Sequence, residues 1–173
     1  MNYIEQLSKE NSKQNTLIIV NDIANSQEKF DEILTIFLHS EYKLVQRASN
    51  VIGIVGEKQP QLIKPHIQTF INYLNSNPID AVKRNILRIL QFYKNLPFEN
   101  AKLFNICLSY LTSNQEPIAV KAFAITICRR YCQQYPELTN EVIQTLDILL
   151  KENSSPGIQS RGKKELKLLL KIN

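Results

Sequence analysis

Two sets of apolar residues recur along this chain at a spacing of 37 or 38 residues, and this period limits the possible folds more than any other feature. Within each copy the apolar residues follow one another at steps of three and four, which places them along one side of an α-helix. A period of this size is typical of proteins in which a small helical unit stacks on copies of itself. The sequence therefore predicts repeated pairs of antiparallel helices.

The second helix of each pair, which we call the B helix, shows the period most clearly. Its best copy lies in residues 77–95, where Asn77 is predicted to cap the helix and Pro78 to occupy its first position. The four copies of the apolar stripe are Leu44, Ala48, Ile52 and Val55; Val82, Ile86, Leu90 and Tyr93; Val120, Ala124, Cys128 and Tyr131; and Ile158, Gly162, Leu166 and Leu169.

The first helix of each pair, the A helix, has a stripe of its own, and prolines mark the phase of the repeat. Pro60, Pro97 and Pro136 are predicted to open repeats, while Pro65 is predicted to kink an A helix. The A-helix stripes are Phe30, Leu34 and Phe37; Ile67, Ile71 and Leu74; Phe104, Leu108 and Leu111; and Val142, Leu146 and Leu149. We expect a single domain over residues 1–173, with an N-terminal helical cap at 1–25 and repeats at about 26–59, 60–96, 97–135 and 136–173.

Composition agrees with an all-α globular chain. Hydrophobic residues make up 43% of the 173 residues and charged residues 21%, and no alternating strand pattern of useful length occurs. No apolar run approaches the length of a membrane span, so we expect no membrane insertion. The polar amino-terminal stretch does not resemble a signal peptide, and a cytoplasmic location is therefore predicted.

The B-helix segments resemble the HEAT family of helical repeats, with armadillo repeats as a near relative. Asp80 and the pair Val82–Lys83 match the opening of the family's second helix, Ala48 matches its alanine, and Ile52–Gly53 match its close. The resemblance covers residues 26–173 and implies a right-handed α-α superhelix of about four helix pairs, with the B helices lining the concave side. It also implies an interaction scaffold more readily than an enzyme.

Positive charge is concentrated on the B helices. The formal net charge of the chain is +5, of which the B-helix segments carry +10 and the A-helix segments −4. No acidic residue is predicted in the middle of the exposed B-helix face, and Glu165 is predicted to face solvent on the last helix. Together with the concave placement, this predicts a basic groove that attracts an acidic partner. The alternative is a solvated face whose cations only maintain solubility. The candidate partner-binding residues are Arg84, Arg88, Gln91, Arg129, Lys164 and Lys167.

These features are compatible with three functions. The favoured hypothesis is a non-catalytic scaffold that binds an acidic peptide or protein surface through this groove. The alternative is nucleic-acid binding, as in HEAT-like DNA glycosylases for alkylated bases, although only Phe123 is an aromatic residue near the groove edge. An enzyme is the least favoured, because His39 and His66 have no evident catalytic partner by spacing, and the predicted groove offers no carboxylate.

No cofactor, metal site or catalytic residue is predicted. Cys128 and Cys132 lie one helical turn apart, a spacing that two metal ligands can have. Cys128 falls in the B-helix core stripe, however, and no histidine lies at ligand spacing. All three cysteines, which include Cys107, are therefore interpreted as buried or incidental thiols.

Overall fold

The computed structural model describes residues 1–152 and 155–172, and within these residues every regular element is a helix. The predicted all-α class is thus confirmed. Short 3₁₀ turns occur at Lys64–His66 and Pro136–Leu138. The α-helices, in chain order, are α1 (Tyr3–Lys9), α2 (Lys13–Ile23), α3 (Gln27–His39), α4 (Tyr42–Lys58), α5 (Pro60–Ile63), α6 (Ile67–Asn75), α7 (Asp80–Leu90), α8 (Ala101–Thr112), α9 (Ile118–Gln134), α10 (Thr139–Glu152) and α11 (Pro156–Leu169).

The chain divides into two compact units, Met1–Ile89 and Leu90–Asn173. In the first unit, α4 packs against α1, α2 and α3. The ring of Phe37 on α3 lies edge-on to the rings of Phe70 and Tyr73 on α6, at centroid distances of 6.2 and 5.1 Å. Arg47 on α4 donates a hydrogen bond of 2.5 Å to the carbonyl of Leu7, which ties α4 to the first helix.

Two glycines of α4 allow a close approach to α7. A Cβ atom added at Gly53 would lie 2.6 Å from Oδ1 of Asn85, and one added at Gly56 would lie 2.6 Å from Cγ1 of Ile89. Atoms at those distances overlap, so a larger residue at either position would displace the side chain of Asn85 or Ile89 from its present packing.

The first helix of the second pair is interrupted at Pro65, as its sequence predicts. Helix α5 ends at Ile63, a 3₁₀ turn follows, and α6 begins at Ile67. Proline lacks the amide donor and crowds the preceding turn, so the α-helical hydrogen-bond pattern breaks there.

The predicted role of Asn77 and Pro78 is wrong. Asn77 adopts a φ of +53°, and its backbone amide donates to the carbonyl of Leu74 at 3.1 Å, so it closes α6. Asparagine tolerates this left-handed conformation better than most residues, which makes it suitable after the end of a helix. Helix α7 begins only at Asp80.

In the second unit, α9 is the central helix and packs against α8, α10 and α11. The predicted stripe of α9 is buried, with Val120, Ala124 and Cys128 at 0% exposure and Tyr131 at 1%. The hydroxyl of Tyr131 donates to the carbonyl of Asn100 at 2.9 Å, so a side chain of the core also fixes the start of α8. In the described part of the chain, no helix combines the length and apolarity that crossing a bilayer requires.

Candidate partner-binding surfaces

The six candidate residues are divided between the two units. Arg84 and Arg88 lie on α7 in the first unit. In the second unit, Gln91 follows α7, Arg129 lies on α9, and Lys164 and Lys167 lie on α11. Although these residues share one spacing along the B helices, some are buried in hydrogen-bond networks and others are exposed.

In the first unit, Arg88 is held by a carboxylate of the preceding B helix. Its Nε and Nη2 atoms each donate a hydrogen bond of 2.5 Å to one of the two carboxylate oxygens of Glu57. A paired geometry of this kind fixes the plane of the guanidinium as well as its position. Arg84 is more exposed and donates to Oδ1 of Asn50 at 3.3 Å.

Arg88 also lines an open pocket of about 360 Å³ at the amino end of α2. Lys13, Thr16 and Asn50 line the same pocket, beside the Ser12 side chain that caps α2. The amino end of a helix carries partial positive charge, and Lys13 and Arg88 add two cations to the walls. Glu57 offsets the charge of Arg88, and Glu10, which accepts a hydrogen bond from Ser12, offsets that of Lys13, so the helix end is the remaining positive feature of the pocket.

In the second unit, Gln91 and Arg129 belong to an internal hydrogen-bond network. Gln91 is only 3% exposed and accepts a hydrogen bond of 2.9 Å from Arg161, which corrects its predicted exposure. Arg161 also donates to Oγ1 of Thr126 at 2.7 Å. Arg129 donates to Glu165 at 2.9 Å, and its side chain is 14% exposed. These two candidates join neighbouring helices and present little surface to a partner.

Glu165 is the acceptor of this network, and its predicted exposure is wrong. The residue is 4% exposed, and its two carboxylate oxygens accept hydrogen bonds from Thr126 and Arg129. Burial of a carboxylate is tolerated here because both a cation and a hydroxyl compensate for its lost hydration. The expectation that no acidic residue lies in the middle of the exposed B-helix face did not anticipate that Glu57 and Glu165 pair with two of its arginines, Arg88 and Arg129.

Lys164 and Lys167 differ from the arginines because both are exposed. Lys163 is exposed on the same helix, and Lys171 is exposed just beyond it. The only carboxylate of α11 is that of Glu165, which is directed towards Arg129. The exposed side of α11, which we call the lysine face (Lys163, Lys164, Lys167 and Lys171), therefore carries positive charge without an acidic residue of its own helix.

The two histidines occupy contrasting positions. His39 is exposed at the end of α3. Nε2 of His66 lies 2.8 Å from Oδ1 of Asp31, and the imidazole packs on Phe30 at a centroid distance of 5.7 Å. Asp31 precedes His66 by 35 residues, so this partner lies in the preceding repeat and cannot be found from local spacing.

The three cysteines are buried in the second unit, as expected for core thiols. A hydrogen bond with Cys107, together with burial, raises the pKa of Cys128 well above the ordinary thiol value. Burial raises the pKa of Cys132 to about 11. In residues 1–152 and 155–172, no three acidic, histidine or cysteine side chains are grouped so that they could hold a metal ion.

Successive antiparallel helix pairs, joined by hydrogen bonds between neighbouring B helices, define a helical repeat protein. A family model for a HEAT repeat domain matches residues 3–169, which include α1 and α2 as well as the four later pairs. The chain therefore belongs to the HEAT repeat family, whose repeats generally serve as non-catalytic scaffolds for protein interaction. Neither the curated proteins nor the solved structures compared with the chain gave a match.

Proposed function

We propose that the protein is a scaffold that binds an acidic protein surface or peptide, and that the lysine face of α11 makes the principal contact. The observation that carries this proposal is the burial of Glu165, which leaves the exposed lysines of α11 without an exposed carboxylate on the same helix. Lysine side chains at one face raise the local concentration of acidic partners and direct their approach.

Exposed leucines support a protein partner. Leu168 on α11 is 38% exposed, and Leu170, the first residue after the end of α11, is 60% exposed. Apolar side chains among cations suit a partner that offers both carboxylates and apolar groups, as interfaces commonly do. Helix α11 contains no aromatic residue on which a nucleotide base could stack, so the same face is less suited to single-stranded nucleic acid.

The first unit offers a secondary contact through Arg84 and Arg88. Arg84 is exposed, and Arg88 lines the pocket at the amino end of α2. A carboxylate entering this pocket would meet Lys13 and the positive end of a helix. Because Arg88 already binds Glu57, its share of the affinity is expected to be smaller than that of the lysines.

The test is a titration of a fluorescein-labelled peptide of alternating glutamate and leucine residues, followed by fluorescence anisotropy at two salt concentrations. Lys164→Gln/Lys167→Gln should weaken binding about tenfold at low salt, because each surface charge pair contributes a fraction of a kcal/mol to about 1 kcal/mol. The variant should also show a shallower dependence on salt concentration.

Lys43→Gln/Lys58→Gln is the matched control, because both lysines are exposed on α4, a B helix of the first unit. It removes the same net charge, and its affinity is expected to stay within about twofold of the wild type. Equal losses in both variants would show that net charge alone attracts the peptide. Tighter binding to duplex DNA than to the peptide at the higher salt concentration would favour the nucleic-acid alternative.

A further inference from the structure

An open cavity of about 420 Å³ in the second unit is lined by acidic and aromatic residues, whereas the lysine face is basic. It lies where the carboxyl end of α9 meets the amino ends of α8 and α10. Its volume is within the range of pockets that hold a small ligand or one large side chain. Its lining includes Phe98, Glu99, Tyr131, Tyr135, Glu137 and Glu141.

The aromatic part of the cavity is held in place by the core. The hydroxyl of Tyr131 donates to the carbonyl of Asn100 at 2.9 Å. The rings of Phe98 and Phe104 lie 5.1 and 5.5 Å from that of Tyr131, measured between centroids. These contacts fix Tyr131 and Phe98 before any ligand arrives, so binding does not have to pay for ordering them.

The rim of the cavity is acidic. Glu99, Glu137 and Glu141 are all exposed, and no lysine or arginine is among the described residues that line the cavity. The guanidinium of Arg130 lies near the cavity, with its central carbon 5.6 Å from the centroid of the Phe98 ring. That guanidinium donates to backbone carbonyls, including that of Tyr93 at 2.7 Å. Three carboxylates outnumber this guanidinium and outweigh the partial positive charge of the helix amino ends, so the rim is electronegative.

We propose that this cavity receives an arginine side chain from a basic segment of a partner protein. A guanidinium stacks on aromatic faces and pairs with carboxylates through parallel hydrogen bonds, and the cavity combines both kinds of group. A lysine ammonium would gain the charge attraction but not the planar stacking. The proposal is independent of the acidic partner at α11, because the two surfaces differ in sign and share no residue.

The probe is a fluorescein-labelled peptide, Gly-Ser-Arg-Gly-Arg-Ser-Gly, and its counterpart in which citrulline replaces both arginines. Citrulline keeps the shape of arginine and removes its charge. The wild type should bind the arginine peptide saturably and at least about tenfold more tightly than the citrulline peptide. Glu137→Gln/Glu141→Gln should weaken binding of the arginine peptide by about the same factor.

The matched control is Asp147→Asn/Glu152→Gln, because both carboxylates are exposed on α10 and neither lines the cavity. Its affinity should remain within about twofold of the wild type. Tyr135→Ala provides a second test in which no charge changes, and it should also weaken binding. Thermal melting by circular dichroism establishes that each variant is folded.

Absence of saturable binding by the wild type would overturn the proposal, as would equal losses in the two carboxylate variants. A lower melting temperature of Glu137→Gln/Glu141→Gln with unchanged affinity would also overturn it. The acids would then serve only to compensate the dipole of α10. Self-association of the wild type that Glu137→Gln/Glu141→Gln abolishes would assign the cavity to a second copy of the chain and overturn the partner assignment.

Discussion

Replacing Glu165 by isoleucine tests whether the end of the repeat is held by a buried ion pair. The preceding B helices carry Val51, Ile89 and Ile127 at the corresponding position, so Glu165→Ile extends an apolar column by one residue. If the glutamate faced solvent, the change would have little effect on stability. In the structure, however, the carboxylate is buried and accepts hydrogen bonds from Thr126 and Arg129 at 3.0 and 2.9 Å.

The expected loss follows from these contacts. Removing one partner of a fully buried ion pair costs about 3–5 kcal/mol, because the other charge stays desolvated. The lower end applies here, because the Arg129 side chain is 14% exposed and also donates to Gln133. Burial of the isoleucine side chain offsets about 1 kcal/mol of this loss in the free energy of unfolding. The gain is small because much of the glutamate stem is already buried. Glu165→Ile should therefore reduce the free energy of unfolding by about 2 kcal/mol.

Urea unfolding followed by circular dichroism measures this change as a shift of the midpoint at unchanged slope. Arg129→Met supplies the second single variant, and Arg129→Met/Glu165→Ile completes a double-mutant cycle. The double variant should lie within about 1 kcal/mol of the wild type, because both charges are removed together. With Arg129→Met also losing about 2 kcal/mol, the coupling energy should be about 3 kcal/mol. A Glu165→Ile variant as stable as the wild type, or a coupling energy near zero, would refute the buried pair.

Other perturbations test the core and the N-terminal contacts. Leu90→Asp places an unpaired charge at a site with 0% exposure and should abolish cooperative thermal unfolding; a native-like melt would contradict the stripe assignment. A hydrogen bond from the hydroxyl of Tyr3 is the main cause that lowers the pKa of Asp22 in the folded protein. The Asp22 carboxylate therefore stabilises the folded state at a pH above its unfolded pKa, and this contribution is lost as the pH falls through the lower folded pKa. Tyr3→Phe should reduce that acid-dependent loss, measured by urea unfolding at about pH 7 and about pH 3. Because their pKa values are raised, the Cys128 and Cys132 thiols should resist iodoacetamide at about pH 8 until the protein is unfolded.

Much of the helical organisation is predictable from the sequence because burial follows helical periodicity. Val82, Ile86 and Leu90 each have 0% exposure, as their spacing predicts. The interruption at Pro65 is also predictable, because it follows from the missing amide of proline and does not depend on tertiary contacts. Asn77 shows the limit of such reasoning, because asparagine suits both the start of one helix and the end of another, and only the structure distinguishes them.

The surface is less predictable, because the partners of a polar residue lie about one or two repeats away along the chain. Glu165 is buried because Arg129 and Thr126, 36 and 39 residues earlier, supply its hydrogen bonds. Gln91 is buried because Arg161, 70 residues later, donates to it. Spacing places these residues on the correct side of a helix but does not show which cations are already paired.

The aromatic cavity was missed for a related reason. Tyr131 is part of the core stripe, and its spacing predicts burial without predicting that one side of the ring borders a cavity. The rim carboxylates come from three short segments near helix ends, where acidic residues are common because of the helix dipole. No linear motif joins them.

We propose that buried B-helix cations stabilise the fold and that exposed ones bind the partner, and comparing Arg129→Gln with Lys164→Gln tests this division most directly. Each variant is measured for its free energy of unfolding and for its affinity for the glutamate–leucine peptide. Arg129→Gln should lose about 2–3 kcal/mol of stability, whereas Lys164→Gln should stay within about 0.5 kcal/mol and lose severalfold in affinity. Equal stability losses, or a larger loss of affinity in Arg129→Gln than in Lys164→Gln, would contradict this division of the cations.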